Sequence, residues 1–186
     1  MKTFFSIEEW KQEQVRLKAA GKTLGFVPTM GALHAGHLSL VKRSKSENHL
    51  TLVSIYVNPT QFDDKKDLEK YPSNLSQDQE LLTQGDCDYL LVPTWKEIYP
   101  DDFRFRISEN EVSKALCGAH RPGHFDGVLT IVMKLLMISA CDRAYFGHKD
   151  YQQYFLISEM AKAFFLPSQI IGCPTVREKD GLAMSS

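Results

Sequence analysis

Two histidines stand three residues apart in Pro28-Thr29-Met30-Gly31-Ala32-Leu33-His34-Ala35-Gly36-His37, after an apolar stretch and before a helical one. At that spacing both imidazoles can face one ligand. A strand-to-helix turn also aims backbone N–H groups and the positive end of a helix dipole into a crevice, which suits phosphate. Gly31 and Gly36 allow the backbone to approach closely. Metal binding is a competing reading, but no Cys or carboxylate stands beside the pair. A structural turn with one exposed and one packed imidazole is the plain reading. The two glycines tilt the choice toward phosphate.

Three further runs carry polar groups at similar junctions. Val57-Asn58-Pro59-Thr60-Gln61-Phe62 offers two amides around a rigid proline; amides donate and accept, which suits a hydroxy-carboxylate. Taken alone it reads equally as a polar loop capped by Asn58. Tyr145-Phe146-Gly147-His148-Lys149-Asp150 repeats the order of strand, glycine and polar helix start. Lys149 can neutralise phosphate, Asp150 can cap the helix or hold a ribose hydroxyl, and Gln153 lies one turn further on the same face. Arg121-Pro122-Gly123-His124-Phe125-Asp126-Gly127 is a stiffened loop entering an apolar helix. There His124 either points at a ligand or packs under the loop, and the sequence leaves both open.

The elements that must position these groups follow from periodicity and punctuation. Helices are expected at Ile7–Ala20, Gly36–Lys45, Ser73–Gln84, Gly127–Ser139 and Asp150–Phe164, the first opened by Ser6-Ile7-Glu8-Glu9 and closed by Gly21. Strands are expected at Leu24–Pro28, Leu50–Val57, Tyr89–Pro93, Phe103–Ile107, Arg143–Phe146 and Ile170–Cys173, a polar loop at Gln61–Lys70 and a turn at Lys179-Asp180-Gly181. Strands alternating with helices imply an α/β fold, a Rossmann-like doubly wound, mainly parallel sheet. Ligands bind at the carboxyl ends of such strands, where the histidines, Asn58, Gln61 and Gly147–Asp150 fall.

Composition narrows the field. The 186 residues suffice for one domain with a real core. Lys plus Arg (22) nearly balances Asp plus Glu (23), which argues against a broad nucleic-acid surface. Cys87, Cys117, Cys141 and Cys173 form no C-x-x-C pair, and reduced thiols fit a cytoplasmic protein. The apolar run Gly127–Ala140 is too short to span a bilayer.

Set side by side, PTMGALHAGH (28–37), VNPTQF (57–62), YP (71–72), EIYP (97–100), RPGHFDGV (121–128), FGHKDYQQ (146–153) and PTVREKDGLAMSS (174–186) resemble the pantoate–β-alanine ligases (pantothenate synthetases) over nearly the whole chain. H-x-G-H alone would point only to the wider nucleotidylyltransferase-like superfamily. The resemblance implies an enzyme that makes pantothenate from pantoate, β-alanine and ATP through pantoyl adenylate, with Mg²⁺, as a cytoplasmic homodimer. It implies that Met30, Gly31, Ala32, Leu33, His34, Ala35, Gly36 and His37 contact ATP. His34, His37 and Lys149 then carry catalysis, His37 as proton donor. Gly147, His148, Lys149, Asp150, Val176, Met184, Ser185 and Ser186 also contact ATP. Gln61, Gln153 and Asn58 hold pantoate, Gln61 also meets β-alanine, and Asp78 stands near magnesium.

Three departures from the family pattern stand out. Cys117 replaces a glutamate, and His148 replaces the glutamate of F-G-E-K-D, which would put a titratable charge near the phosphates. The family motif also continues S-S-R-N into a C-terminal lid domain. Residues 1–175 then read as the ATP- and pantoate-binding domain and 176–186 as the start of the phosphate-gripping loop. Without the lid, turnover is expected to fall strongly. A nucleotidyltransferase of the same superfamily and an inactive nucleotide-binding or dimerisation fragment are the alternatives.

Overall fold

The computed structural model describes residues 1–186, the side chain of Lys65 excepted. Its strands are β1 (Lys2–Phe4), β2 (Leu24–Thr29), β3 (Leu50–Ile55), β4 (Tyr89–Leu91), β5 (Arg143–Gly147) and β6 (Gln169–Cys173). Its helices are α1 (Ile7–Ala19), α2 (Ala35–Glu47), α3 (Lys65–Lys70), α4 (Leu75–Gln84), α5 (Trp95–Ile98), α6 (Cys117–His120), α7 (His124–Ser139) and α8 (Tyr151–Ala163). Short 3₁₀ turns cover Pro59–Gln61, Val112–Lys114 and His148–Asp150.

All six strands are parallel, in the order β1-β4-β3-β2-β5-β6. β2 is therefore the switch point, with β3 on one side and β5 on the other. β2 and β5 pair through Gly25–Arg143 and Phe26–Ala144, at their amino halves, while β5 and β6 stay paired through Gly147–Cys173. The carboxyl ends of β2 and β5 are thus left apart, and a crevice opens there.

The alternation of buried strands with amphipathic helices gives two cores, one on each face of the sheet. Trp10, Phe26, Leu52, Leu129 and Ile157 fill one, and Val27, Val41, Val53, Leu82 and Tyr145 fill the other. Each such side chain contributes roughly 1.5–3 kcal/mol on burial. Helix ends follow their sequence signals. Ser6 accepts from the Glu8 N–H at the start of α1, and Asn74 accepts from the Gln77 N–H at the start of α4.

Two expectations change, and one strand appears that the sequence does not announce. Phe103–Ile107 is not a strand: Asp102 and Phe103 adopt positive φ (52° and 62°), which breaks an extended run. Its alternation arises because Phe103 packs edge-on against Tyr99 while Phe105 lies in solvent. The expected loop at Gln61–Lys70 contains α3, opened by the Asp64 carboxylate accepting from the Lys66 N–H. Finally, Lys2–Phe4 is an edge strand beside β4, too short to give a periodic signal.

Candidate active site

A cavity of about 360 Å³ lies between the carboxyl ends of β2 and β5. Met30, His34, Gly36 and His37 form one wall, and Gly147, Lys149, Asp150 and Gln153 another. Asn58 and Gln61 stand beside an apolar strip from α7 that includes Val128, Ile131, Val132 and Leu135. Val176, Met184, Ser185 and Ser186 edge the opening.

The turn after β2 is bent by two successive left-handed residues, Gly31 (φ 85°) and Ala32 (φ 50°). Asp78, from the first turns of α4, holds this bend. Its carboxylate accepts from the Ala32 N–H at 3.0 Å and the Leu33 N–H at 2.8 Å. Gly31 is required here, because a Cβ would sit 2.9 Å from the Asp78 carboxylate. Asp78 is 3% exposed and lies beneath the loop rather than on the cavity wall. The geometry makes it an anchor for the loop. Among the described residues, no three His, Cys, Asp or Glu side chains come together as a metal site. The carboxylate on the wall, Asp150, lies 3.5 Å from the Lys149 ammonium. The residues present do not fit a protein-made cation site.

His34 and His37 cap α2 as a pair. His34 Nδ1 accepts from the Gly36 N–H at 3.1 Å, and His37 Nδ1 accepts from the His34 N–H at 3.3 Å. Their ring centroids are 4.2 Å apart. A neutral imidazole that accepts at Nδ1 carries its proton on Nε2. Burial, then the neighbouring His34 and the Lys149 charge, push the His37 pKa down to about 4. Burial and Lys149 also lower His34, with Glu178 opposing. Both rings therefore present Nε2–H as neutral donors at pH 7. Gly36 keeps the pair in place, since a Cβ there would lie 2.7 Å from the His34 ring.

The amide wall divides its labour. Asn58 is 1% exposed and fully engaged. Its Oδ1 accepts from the Tyr99 hydroxyl (2.8 Å) and the Thr60 hydroxyl (3.1 Å), and its Nδ2 donates to Gln61 Oε1 (3.2 Å) and the Gly127 carbonyl (3.3 Å). Asn58 orders the wall instead of offering a free amide. Gln61 Nε2 donates to the Met30 thioether at 3.1 Å. Sulfur is a weak acceptor, so a ligand oxygen competes well for that N–H.

The remaining expected residues separate into those brought to the cavity and those turned from it. Lys149, Asp150 and Gln153 reach it. His148 does not: it packs over Gly172 of β6, with ring centroids 4.9 Å from Tyr154 and 5.5 Å from Tyr151. The titratable charge expected beside the phosphates is therefore directed elsewhere. Gly31 and Leu33 are buried behind the wall, Ala32 is half-buried there, and Ala35 is exposed. The predicted turn at Lys179–Gly181 closes a hairpin, with Arg177 bridged to Ala183 and the Met184 N–H donating to the Val176 carbonyl at 3.0 Å. This hairpin carries Met184–Ser186 back to the opening, where the Ser186 and Tyr71 hydroxyls are 3.3 Å apart. Tyr56 was not anticipated at the cavity. It lines the wall at the end of β3, and its buried hydroxyl has no hydrogen-bond partner among the described residues. A single aromatic in a buried strand carries no signal that separates core from cavity.

Known proteins resemble this chain over nearly its whole length. A family profile described as pantoate-beta-alanine ligase matches residues 2–186. A pantothenate synthetase of Caldicellulosiruptor saccharolyticus is 52% identical over 180 residues, covering 97% of this chain and 64% of the relative. One from Bdellovibrio bacteriovorus is 53% identical over 171 residues, covering 92% of this chain and 68% of the relative. The crystal structure of the Francisella tularensis pantoate-beta-alanine ligase, complexed with beta-gamma ATP and beta-alanine, superposes with a TM-score of 0.96 at 46% identity, covering 100% of this chain and 71% of that one. This chain thus spans a little under two thirds of the Caldicellulosiruptor relative's length. Profile, sequence and three-dimensional likeness agree, and on that ground the chain belongs to the pantoate–β-alanine ligase family.

Proposed function

We propose that this chain carries the adenylation site of an enzyme that condenses pantoate with β-alanine at the expense of ATP, through pantoyl adenylate, releasing pyrophosphate and then AMP. The observation that carries the reading is the meeting, in one cavity, of two neutral Nε2–H donors, the Lys149 ammonium and the Gln61 and Gln153 amides.

Pantoate needs no base to attack, because a carboxylate is ionised at pH 7. The first step needs in-line placement and stabilisation of charge on the departing pyrophosphate. His34, His37 and Lys149 donate to phosphate oxygens, and Ser185 and Ser186 close on the same groups from the hairpin. In this reading His37 acts through the N–H it already holds. Gln61 and Gln153 grip the pantoate oxygens, while the α7 strip of Val128, Ile131, Val132 and Leu135 suits its two methyl groups. Gln61 then lies where the β-alanine amine approaches the acyl carbon. That amine attacks the acyl carbon, the acyl C–O bond breaks, the amine gives up a proton, and AMP leaves with the bridging oxygen that came from the pantoate carboxylate.

Val176 is assigned to adenine, with residues 1–175 as the binding domain and 176–186 as the start of the phosphate loop. Magnesium would ride on the nucleotide phosphates, since the cavity residues make no cage for it, and no step above passes through it. A homodimer and a cytoplasmic setting follow from the family resemblance. In the structure, no helix among the described residues is long and apolar enough to cross a membrane.

The test is product identity. The protein with ATP, pantoate and β-alanine is expected to yield AMP and pantothenate in equal amounts. A product that retains the nucleotide would identify a nucleotidyltransferase instead. Absence of AMP above a background without pantoate would sink the ligase reading.

A further inference from the structure

In the loop Arg121–Gly127 the sequence allows His124 either to touch a ligand or to pack. The structure seats it against the back of the amide wall. The Gln61 carbonyl accepts two hydrogen bonds from it: one from His124 Nδ1 at 2.7 Å and one from the Arg121 guanidinium at 3.1 Å. His124 must therefore carry its proton on Nδ1. Its Nε2 is left as an acceptor, and an Arg121 N–H lies 3.3 Å from it. The same guanidinium donates to the Asp63 carboxylate at 2.7 Å. Burial, opposed by the Gln61 carbonyl and aided by the Arg121 charge, keeps His124 below its usual value and hence neutral.

The rest of the segment is fastened to the same helix start. The Gly127 carbonyl accepts from Asn58 Nδ2. A side chain at Gly127 would collide with the Thr60 carbonyl, so α7 and the 58–63 segment approach backbone to backbone. Residues 58–63 are thus held at Asn58, at the Gln61 carbonyl and at Asp63, from partners more than fifty residues away in sequence. The Gln61 side chain leaves this fixed backbone for the cavity. The opposite wall, from Met30 to His37, is held by Asp78 and by α2, with no hydrogen bond among those described to Arg121 or His124.

We propose that Arg121 and His124 are positioning residues: by filling both lone pairs of the Gln61 carbonyl they fix the Gln61 amide, and so set the grip on the hydroxy-carboxylate substrate without setting the grip on the nucleotide. The proposal rests on the assignment of Gln61 to that substrate. Misplacing a substrate-holding group by about 1 Å can cost on the order of 100-fold. Arg121 is a forked donor serving three partners, a geometry a lysine ammonium does not reproduce. His124 offers a sharper contrast. Asparagine places its N–H close to the Nδ1 position of histidine, whereas glutamine places it near Nε2.

The experiment compares Arg121→Ala, His124→Gln and His124→Asn with the parent protein, by pantoate-dependent pyrophosphate release and by hydrogen exchange of the 58–63 segment. Arg121→Ala and His124→Gln are expected to raise KM for pantoate by about 10- to 100-fold. KM for ATP should stay within about twofold, and exchange over 58–63 should quicken. His124→Asn is expected to retain most of the parent's KM and protection. Parallel increases in both KM values, or a glutamine variant as good as the asparagine one, would overturn the proposal. If the parent itself forms no adenylate, the functional reading falls and exchange alone decides the clamp. Unchanged protection of 58–63 in Arg121→Ala and His124→Gln would then overturn it.

Discussion

Replacing His37 by alanine is expected to lower the adenylation rate by about 10²–10³-fold, the range for loss of one preorganised donor to a developing oxyanion. The ring's Nε2–H is fixed from behind by the His34 N–H on Nδ1. It therefore enters the transition state without reorganising. His37→Gln, which keeps an N–H near Nε2, is expected to recover part of the loss. A His37→Ala variant with unimpaired adenylation would remove the ring from the catalytic account. The same group makes a prediction about stability. Its folded pKa of about 4 lies below the ordinary imidazole value of 6.5. Above pH 6.5 neither folded nor unfolded state binds a proton there. As pH falls from 6.5 toward 4 the unfolded chain takes up a proton that the folded one refuses, so stability is lost over that window. The loss is at most about 3 kcal/mol. Denaturant titrations at successive pH values read it directly, and the slope should flatten in His37→Gln. An equal slope in both proteins would show that another group titrates.

Asp78 carries the second large effect. Two backbone N–H groups, the buried one of Leu33 and the half-buried one of Ala32, depend on its carboxylate. Hydrogen bonds to a charged acceptor contribute about 1.5–3 kcal/mol each, and orphaned buried donors add their desolvation cost. Asp78→Ala is therefore expected to lower unfolding free energy by about 3 kcal/mol and to weaken ATP binding, because the left-handed turn at Gly31 and Ala32 loses its anchor. Two denaturation curves in chelator decide between anchoring and cation binding. An anchor gives the full stability loss without any metal. A variant as stable as the parent in chelator, but deficient in activity with magnesium, would return Asp78 to a metal role.

The parts of this architecture that sequence reveals are those set by local chemistry. β2, its glycine turn and α2 are written in consecutive residues, with Leu24, Phe26 and Val27 marking the strand, whereas the capping role of His34 shows only in the structure. The histidine pair and Lys149 could be placed at the cavity because strand ends in a doubly wound sheet converge. What stayed hidden depends on partners far along the chain. Asp78 reads as an ordinary first-turn acid of α4, and its acceptors' partners lie 45 and 46 residues earlier. His124 reads as ligand or packing until its partner, 63 residues away, is seen. His148 belongs to a run that resembles a nucleotide-binding stretch, yet the openness of Gly172 draws its ring to the far side. The Phe103–Ile107 alternation came from two unrelated environments, and period alone does not separate these from a half-buried strand.

The proposed first step is attack of the pantoate carboxylate on the α-phosphorus of ATP in this cavity. Pantoate labelled with ¹⁸O in its carboxylate, turned over with ATP and β-alanine, tests it most directly. One labelled oxygen is expected in the phosphate of the AMP released, because the bridging oxygen of the adenylate leaves with phosphorus. Unlabelled AMP, with the oxygen lost on amide formation found instead in pyrophosphate, inorganic phosphate or water, would rule it out.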